Sequence, residues 1–540
     1  MKVKEFKLLE TQYDVDNSNN NKIIITGFYD YITEEIYTPE QILELEGEIA
    51  LLVNLYNPVV HHFHNLCKSK GYEISTSGKK VLYIDGRKPT RRYRFAACYG
   101  SFRQDGPRSC YACEINKPRT SQTNIIVLID SAKWFRSDFN GFNVPTDGRA
   151  KQLYSVFDYA LKARDYELSK TLAAQAREEM LFPILSVSGD QKEMRLNLVQ
   201  EIRSAYVSGH NYLRNTQRQP FLYYCDVNSM YVYCLSNFIF PSLIVPPKRI
   251  NHFVEPNSEQ LAIYHIQSIQ ADVKPKHFPT IFSGTTMSKQ LEIKDHYHLN
   301  IECMKPTKGW ITSVDYEMLL RDYDIKKLDI DITLLYNKEA DVSRELRAKH
   351  LLEFYNNKRN AVKGTPEYDY HKMLLNTFTG SLSIINTMQY SHEDLIEKGN
   401  TSLLRKDDKI PNIEISAFMT AYARKYITEL ALLAGFDNVH CISTDAVVVE
   451  DYTVLRPFLG NDLGQLKMDE LRNARWWRVN AYEWFDEDGN WKTKASGISD
   501  GTYSQGENTA CQPLLILDKE KGFYCKIYRT IKLSESIYEE

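Results

Sequence analysis

Phe221-Leu-Tyr-Tyr-Cys225 is apolar or aromatic at every position and runs straight into an acid, Asp226. Such a run reads as a buried strand, and the sheet around it fixes whatever stands at its end. The stretch that follows is Asp226-Val-Asn-Ser-Met-Tyr231. A carboxylate held at the end of a buried strand suits a metal site, and the turn behind it leaves backbone N–H groups for phosphate oxygens. A strand-ending Asp also serves as an ordinary turn or helix cap, and this stretch alone leaves both readings open. Two distant stretches favour the metal reading: Lys372-Met-Leu-Leu-Asn376-Thr-Phe-Thr-Gly380, and Cys441-Ile-Ser-Thr-Asp445-Ala-Val-Val-Val449.

The totals set bounds. A chain of 540 residues has room for two or three domains and a large core. With 43% hydrophobic and 25% charged residues it is an ordinary globular protein. A net charge of −3 excludes a generally basic nucleic-acid coat and leaves a local basic cleft open. No run approaches transmembrane length, and Met1-Lys-Val-Lys-Glu-Phe6 lacks the apolar core of a signal peptide. The 10 cysteines form no disulfide-like framework, which fits a reducing compartment; the expectation is the cytoplasm of a bacterial host cell or its equivalent, with no membrane partner. Cys110-Tyr-Ala-Cys113 supplies half of a zinc site and leaves zinc binding open.

Apolar spacing gives the coarse elements. A strand and turn are expected at Ile23–Gly27, a helix from Pro39 to about Leu55, and a buried strand over Asn124–Asp130. A long amphipathic helix is expected from Asp158 to about Leu181. A charged helix follows from Ser343 to about Lys363, carrying Arg344, Arg347, Lys349, Lys358 and Arg359. A further helix spans Glu414 to about Ala434, and a hairpin forms around Asp445.

Asp strand, Lys/Asn/Gly helix and Asp hairpin, in that order, resemble motifs A, B and C of family B DNA polymerases, most closely the protein-primed branch of small phages and linear plasmids. The resemblance implies a mixed α+β chain. A degenerate exonuclease-like (RNase H-like) α/β domain occupies 1–190, a linker 191–220, palm and fingers 221–500 with an insertion at about 275–340, and a thumb 501–540. It further implies template-directed DNA synthesis from dNTPs on a DNA primer and template. Two Mg²⁺ or Mn²⁺ ions are implied on Asp226, Asp445 and the Val227 carbonyl, and a terminal priming protein is an implied partner. Ser229, Met230 and Tyr231 are expected beneath the nucleotide, with the Tyr231 ring excluding a 2′-OH. Lys372 is expected on the phosphates with Arg359 or Lys363 as second cation, and Asn376 against the nascent base pair. Lys494 and Gly497 match the family's Lys-x-x-Gly element at the primer terminus, with Thr444 nearby. Tyr206 and Gly209 resemble its linker motif, which contacts template.

The departures matter as much. Glu10, Asn65 and Asp165 match exonuclease positions, but Leu8, Ser69 and Leu161 stand where that pattern has Asp, Asp and Tyr. A Leu cannot replace an oxygen ligand, so exonuclease activity is expected to be absent. Motif C reads Ser443-Thr-Asp445-Ala, with Ser443 in place of the family's first Asp, and Thr379 replaces a Tyr in motif B. Two other functions fit these losses: a polymerase fold kept for binding nucleic acid or a partner, and a restricted nucleotidyltransferase.

Overall fold

The computed structural model describes residues 5–45, 48–69, 94–96, 102–103, 106–107, 112–116, 125–135, 142, 147–167, 171–180, 198, 201–282, 295–305, 307–382, 412–495, 505–518 and 523–534. Cys110 and Gly497 lie outside them.

The N-terminal part is built on a nine-stranded sheet whose centre is parallel. Glu48–Val53 lies between Glu5–Asp16 and Ile125–Asp130, parallel to both. The strand at Ile125–Asp130 is as expected. The helix expected from Pro39 to about Leu55 stops at Glu44, and Glu48–Val53 is a strand. Its Ile-Ala-Leu-Leu-Val segment is apolar at every position. A central parallel strand is covered on both faces and carries no period to separate it from a helix. The helix expected over Asp158–Leu181 is two, Asp147–Lys162 and Leu172–Met180. Asp165 and Tyr166 take positive φ at the break, and the Tyr166 N–H donates to the Leu161 carbonyl at 2.8 Å. Arg164 then folds back to pair with Glu178 of the second helix at 2.8 Å.

The central part is a seven-stranded sheet in the order His210–Leu213, Val439–Thr444, Ala446–Val449, Gln219–Val227, Leu466–Arg478, Ala481–Phe485, Trp491–Ala495. The helix Ile413–Ala434 packs behind it through a largely apolar face that includes Phe418, Ile427 and Ala431. Beside it, the long strands Gln260–Val273 and Tyr323–Asn337 form the spine of a five-stranded sheet. Arg424 of the long helix ties these parts together: it donates to the Val207 and Ser208 carbonyls and to Asp315, at 2.6, 3.1 and 2.6 Å.

Two helices, Asp341–Asn360 and Pro366–Ser381, form a hairpin over the sheet. The first is rooted by the buried Arg347, whose guanidinium donates to the Leu235 and Phe238 carbonyls at 2.8 and 3.0 Å and pairs with Glu339. The second is braced by the N-terminal helices. Gln152 donates to Asp369 at 2.5 Å, and the Tyr370 hydroxyl donates to Glu179 at 2.6 Å while accepting from Gln175 at 3.1 Å. The C-terminal hairpin, Thr509–Asp518 and Phe523–Lys532, extends the N-terminal sheet. Its base packs on Trp477, Ala481 and Ala495 of the central sheet.

Candidate active site

Asp226 stands next to last in Gln219–Val227, the middle strand of the central sheet. Asp445 occupies the turn of the neighbouring hairpin, between Val439–Thr444 and Ala446–Val449. Two antiparallel pairings bring them together: Asp226 lies opposite Ala446, and the Val227 N–H donates to the Asp445 carbonyl at 2.8 Å. Burial, and then the charge of Asp445, push the Asp226 carboxyl up to about 6; burial also raises Asp445. Lys494 opposes both shifts and Lys467 opposes that of Asp226, through space and without a hydrogen bond. Two partly desolvated acids held side by side are a standing electrostatic cost that a bound cation removes.

The turn is tight. Thr444 takes a φ of +61°, and Gly209, the residue before the edge strand, lies against it. A Cβ on Gly209 would sit 2.7 Å from the Thr444 Cα and 2.6 Å from its Cγ2. Gly209→Ala therefore displaces the Asp445 turn. Since a displacement of about 1 Å at a reacting centre can cost roughly a hundredfold, the variant should lose turnover by about that factor while its melting temperature shifts only modestly. Steady-state rates set beside thermal melts check this. Ser443 turns aside, donating to Asn480 at 3.0 Å.

Behind Asp226 the chain enters the helix Met230–Asn237 through Ser229, at φ +53°. No side chain caps this end, which leaves first-turn N–H groups for an anion. Met230 is buried, and Tyr231 is partly buried in the same core, as is Tyr206. Burial raises the Tyr231 phenol, and Asp445 and Tyr206 add to the shift, so the three groups are neighbours. Asn228 is the hub of the turn. Its amide donates to the Tyr355 hydroxyl at 2.8 Å and to the Asn461 and Asp462 carbonyls at 2.8 and 3.1 Å.

Lys372, Asn376 and Gly380 recur at four-residue spacing and share the exposed face of Pro366–Ser381, while Leu374, Leu375 and Phe378 are buried. Of the two cations expected beside Lys372, Arg359 pairs with Asp462 at 2.8 Å, and Lys363 is exposed in the loop between the helices. Lys358 is the one on the Asp226 turn, donating to the Ser229 hydroxyl at 3.0 Å. Burial, and the charges of Lys467 and Lys372, push its ammonium down to about 8. Helical spacing alone does not separate Lys358 from its neighbour, and Lys467 owes its place to a strand register that no local pattern displays.

Lys494 sits across from Tyr482, with its Nζ 6.0 Å from both the Tyr224 and Tyr482 rings. Its strand is fixed by the buried Glu483, which accepts from the Trp491 indole at 3.0 Å and the Gly506 N–H at 2.8 Å. Arg475 lies over the Trp477 ring, a structural contact on a buried indole.

The exonuclease positions each have their own surroundings. Glu10 accepts from the Tyr31 hydroxyl at 2.6 Å, the Asn65 amide meets the His61 ring at 3.1 Å, and Asp165 is exposed in the inter-helix turn. Leu8 and Leu161 are both buried in one apolar core with Phe6, Trp134 and Phe157. Among the described residues no group of three or more His, Cys, Asp or Glu could hold a metal ion, and no helix is long and apolar enough to cross a membrane.

A strand-end acid beside a hairpin acid, under a lysine-bearing helical hairpin, is the arrangement expected of a palm and fingers. The profile of DNA polymerase type B, organellar and viral, matches residues 179–438, which hold Asp226, Lys372 and Arg424. Phi29 DNA polymerase in complex with primer-template DNA superposes with a TM-score of 0.69 at 14% identity, covering 97% of this chain and 100% of that one. Its complex with single-stranded DNA gives 0.69 at 14%, covering 98% and 100%; the ternary complex with incoming nucleotide gives 0.65 at 13%, covering 99% and 100%. No curated protein sequence matches the chain. The expected resemblance to family B DNA polymerases is met by the type B profile over residues 179–438, and the mixed fold expected from the sequence is the one found.

Proposed function

We propose that this chain is a DNA-directed DNA polymerase that adds dNTPs to a primer hydroxyl by metal-assisted nucleotidyl transfer. A protein hydroxyl serves as the first primer, and no proofreading follows. The observation that carries the reading is the juxtaposition of Asp226 and Asp445 at one sheet end, facing the lysines of the helical hairpin.

The donor set fits Mg²⁺ or Mn²⁺. Carboxylate and carbonyl oxygens suit hard cations, and Mg²⁺ commonly takes few protein ligands and completes its shell from phosphate and water. Asp226, Asp445 and the Val227 carbonyl are the groups that would hold such ions. When bound, the ions supply Lewis-acid charge at the primer hydroxyl and the α-phosphate. The protein's own part is positioning. Ser229 and the helix start behind it receive the triphosphate, Lys358 and Lys372 neutralise it, and the Tyr231 ring leaves no space for a 2′-OH. Lys494 meets the primer-terminal phosphate, with Thr444 on the same side. Asn376 backs the nascent base pair, Tyr206 and Gly209 line the template path, and Arg359 and Lys363 add charge around the fingers.

The N-terminal domain serves as a scaffold. Burial of Leu8 and Leu161 in one apolar core fills positions where the exonuclease pattern has an acid and a tyrosine, and supports loss of that activity. The brace to Tyr370 and Asp369 gives the domain a reason to persist.

A 5′-labelled primer on a longer template tests both halves in one gel. In Mg²⁺ or Mn²⁺ the primer should lengthen when dNTPs are present and stay intact when they are withheld. Shortening without dNTPs would overturn the proofreading half. Failure to lengthen in either metal, with a protein hydroxyl also offered, would leave a polymerase fold that only binds.

A further inference from the structure

Lys467 has no part in the function proposed above, yet it stands in the middle of the site. It is the second residue of Leu466–Arg478 and lies directly opposite Asp226 on the adjacent strand. Its Nζ is 3.3 Å from the Asn228 Oδ1, and its side chain is otherwise exposed. Lys358 reaches the next residue of the same turn, Ser229, at 3.0 Å. Lys372 acts on Lys358 from the second helix of the hairpin. Two ammonium groups from separate elements thus meet at Asn228-Ser229, with Lys372 within electrostatic reach of one of them.

The acids nearby do not account for this gathering. Asp226 and Asp445 are the proposed metal carboxylates, Asp462 is taken by Arg359, and Asp469 lies two pairings further along, opposite Tyr224. Like charges brought together repel unless an anion joins them. A polyphosphate chain, with several charges a few ångströms apart, matches lysines that approach one turn from two sides. The mounting of Lys467 also differs from that of its partners. Lys358 and Lys372 ride on helices, whereas Lys467 lies on a sheet strand, paired directly with the strand of Asp226. Its charge therefore stays fixed to the palm whatever the fingers do.

We propose that Lys467 is a phosphate-binding residue of the palm that, opposite Lys358, holds the terminal phosphates of the incoming nucleotide and the pyrophosphate released from it. The assignment rests on the polymerase reading for its substrate. Its direct consequence is that the site binds inorganic pyrophosphate or tripolyphosphate without metal, primer or template.

Calorimetric titration of the full chain with pyrophosphate and with tripolyphosphate, in EDTA, tests this on the parent, Lys467→Gln and Lys467→Arg. A charge-assisted contact in an open cleft predicts that Lys467→Gln binds both anions about tenfold more weakly, and that Lys467→Arg recovers most of the loss. In primer extension the Gln variant should raise KM for dNTP in step while leaving affinity for the primer-template duplex unchanged. Pyrophosphate binding equal to the parent's in Lys467→Gln would overturn the proposal and reduce Lys467 to a counter-charge for Asp226. So would a parent that binds neither anion. If the parent extends no primer but binds pyrophosphate through Lys467, the anion site stands and the polymerase reading falls. If it extends primers with the Gln variant unchanged in both assays, Lys467 alone is misassigned.

Discussion

Asp445→Asn should abolish nucleotide addition and, in the same protein, raise the melting temperature measured in EDTA. A metal-holding carboxylate supplies several kcal/mol of transition-state stabilisation, so the expected loss is on the order of a thousandfold. The stability gain has a separate origin. Burial and the Asp445 charge raise Asp226 to about 6. A carboxyl raised above its unfolded value of roughly 4 holds its proton more tightly in the folded state. Above pH 6 both states are ionised and the folded state carries the full repulsion; below about pH 4 both are protonated and the penalty vanishes. Asn at 445 removes the mutual part, and a gain of about 1 kcal/mol moves the palm's transition up by about 2 °C. The parent should also be stabilised by Mn²⁺, with the variant much less so. Melting curves with EDTA and with Mn²⁺ read both effects, and a destabilised, metal-responsive Asp445→Asn would contradict the site.

Arg424→Ala should be the most damaging single truncation in the palm. Arg424 and Asp315 are 2% and 4% exposed and meet at 2.6 Å, and the same guanidinium satisfies the Val207 and Ser208 carbonyls. Removing one partner of a buried pair strands the other, at a cost of about 3–5 kcal/mol. Asp315 is also the N3 residue of the capping box on Ser313–Asp322, where it accepts from the Thr312 N–H and hydroxyl. Its unpaired charge therefore weighs on that helix start as well. The carbonyls lie just before Gly209, so the damage reaches the edge strand under the Asp445 turn. Denaturant melts should show a midpoint lowered accordingly; Arg424→Lys, which keeps one donor and the charge, should lose less. A variant as stable as the parent would mean that the pair is not buried in solution.

What the sequence displayed depended on how local the signal was. The Asp226 strand, the Lys372 helix, the Asp445 hairpin and the helix Ile413–Ala434 were legible because each carries its own periodicity or an unbroken apolar run. The strand Glu48–Val53 was not: Ile49 to Val53 have no polar face, and only its parallel neighbours decide for strand. The break at Asp165–Tyr166 needed backbone angles that these residue types seldom adopt, and Arg164 selects it through a partner in the next helix. In the site, Asp226, Asp445, Lys372 and Lys494 stood out in the sequence as candidates, and Lys358 and Lys467 did not. Lys467 faces Asp226 through register, and Lys358 rather than Arg359 meets Ser229 through the rotation of one helix. Neither has a local signature.

The most direct test of the central claim is a crystal structure with primer-template DNA, a non-hydrolysable dNTP and Mn²⁺, read by anomalous scattering. Manganese peaks bound by Asp226 and Asp445, with the triphosphate over Ser229–Tyr231 between Lys358 and Lys467, are the predicted result. Nucleotide bound elsewhere, or no manganese at the two carboxylates with the nucleotide in place, would contradict it.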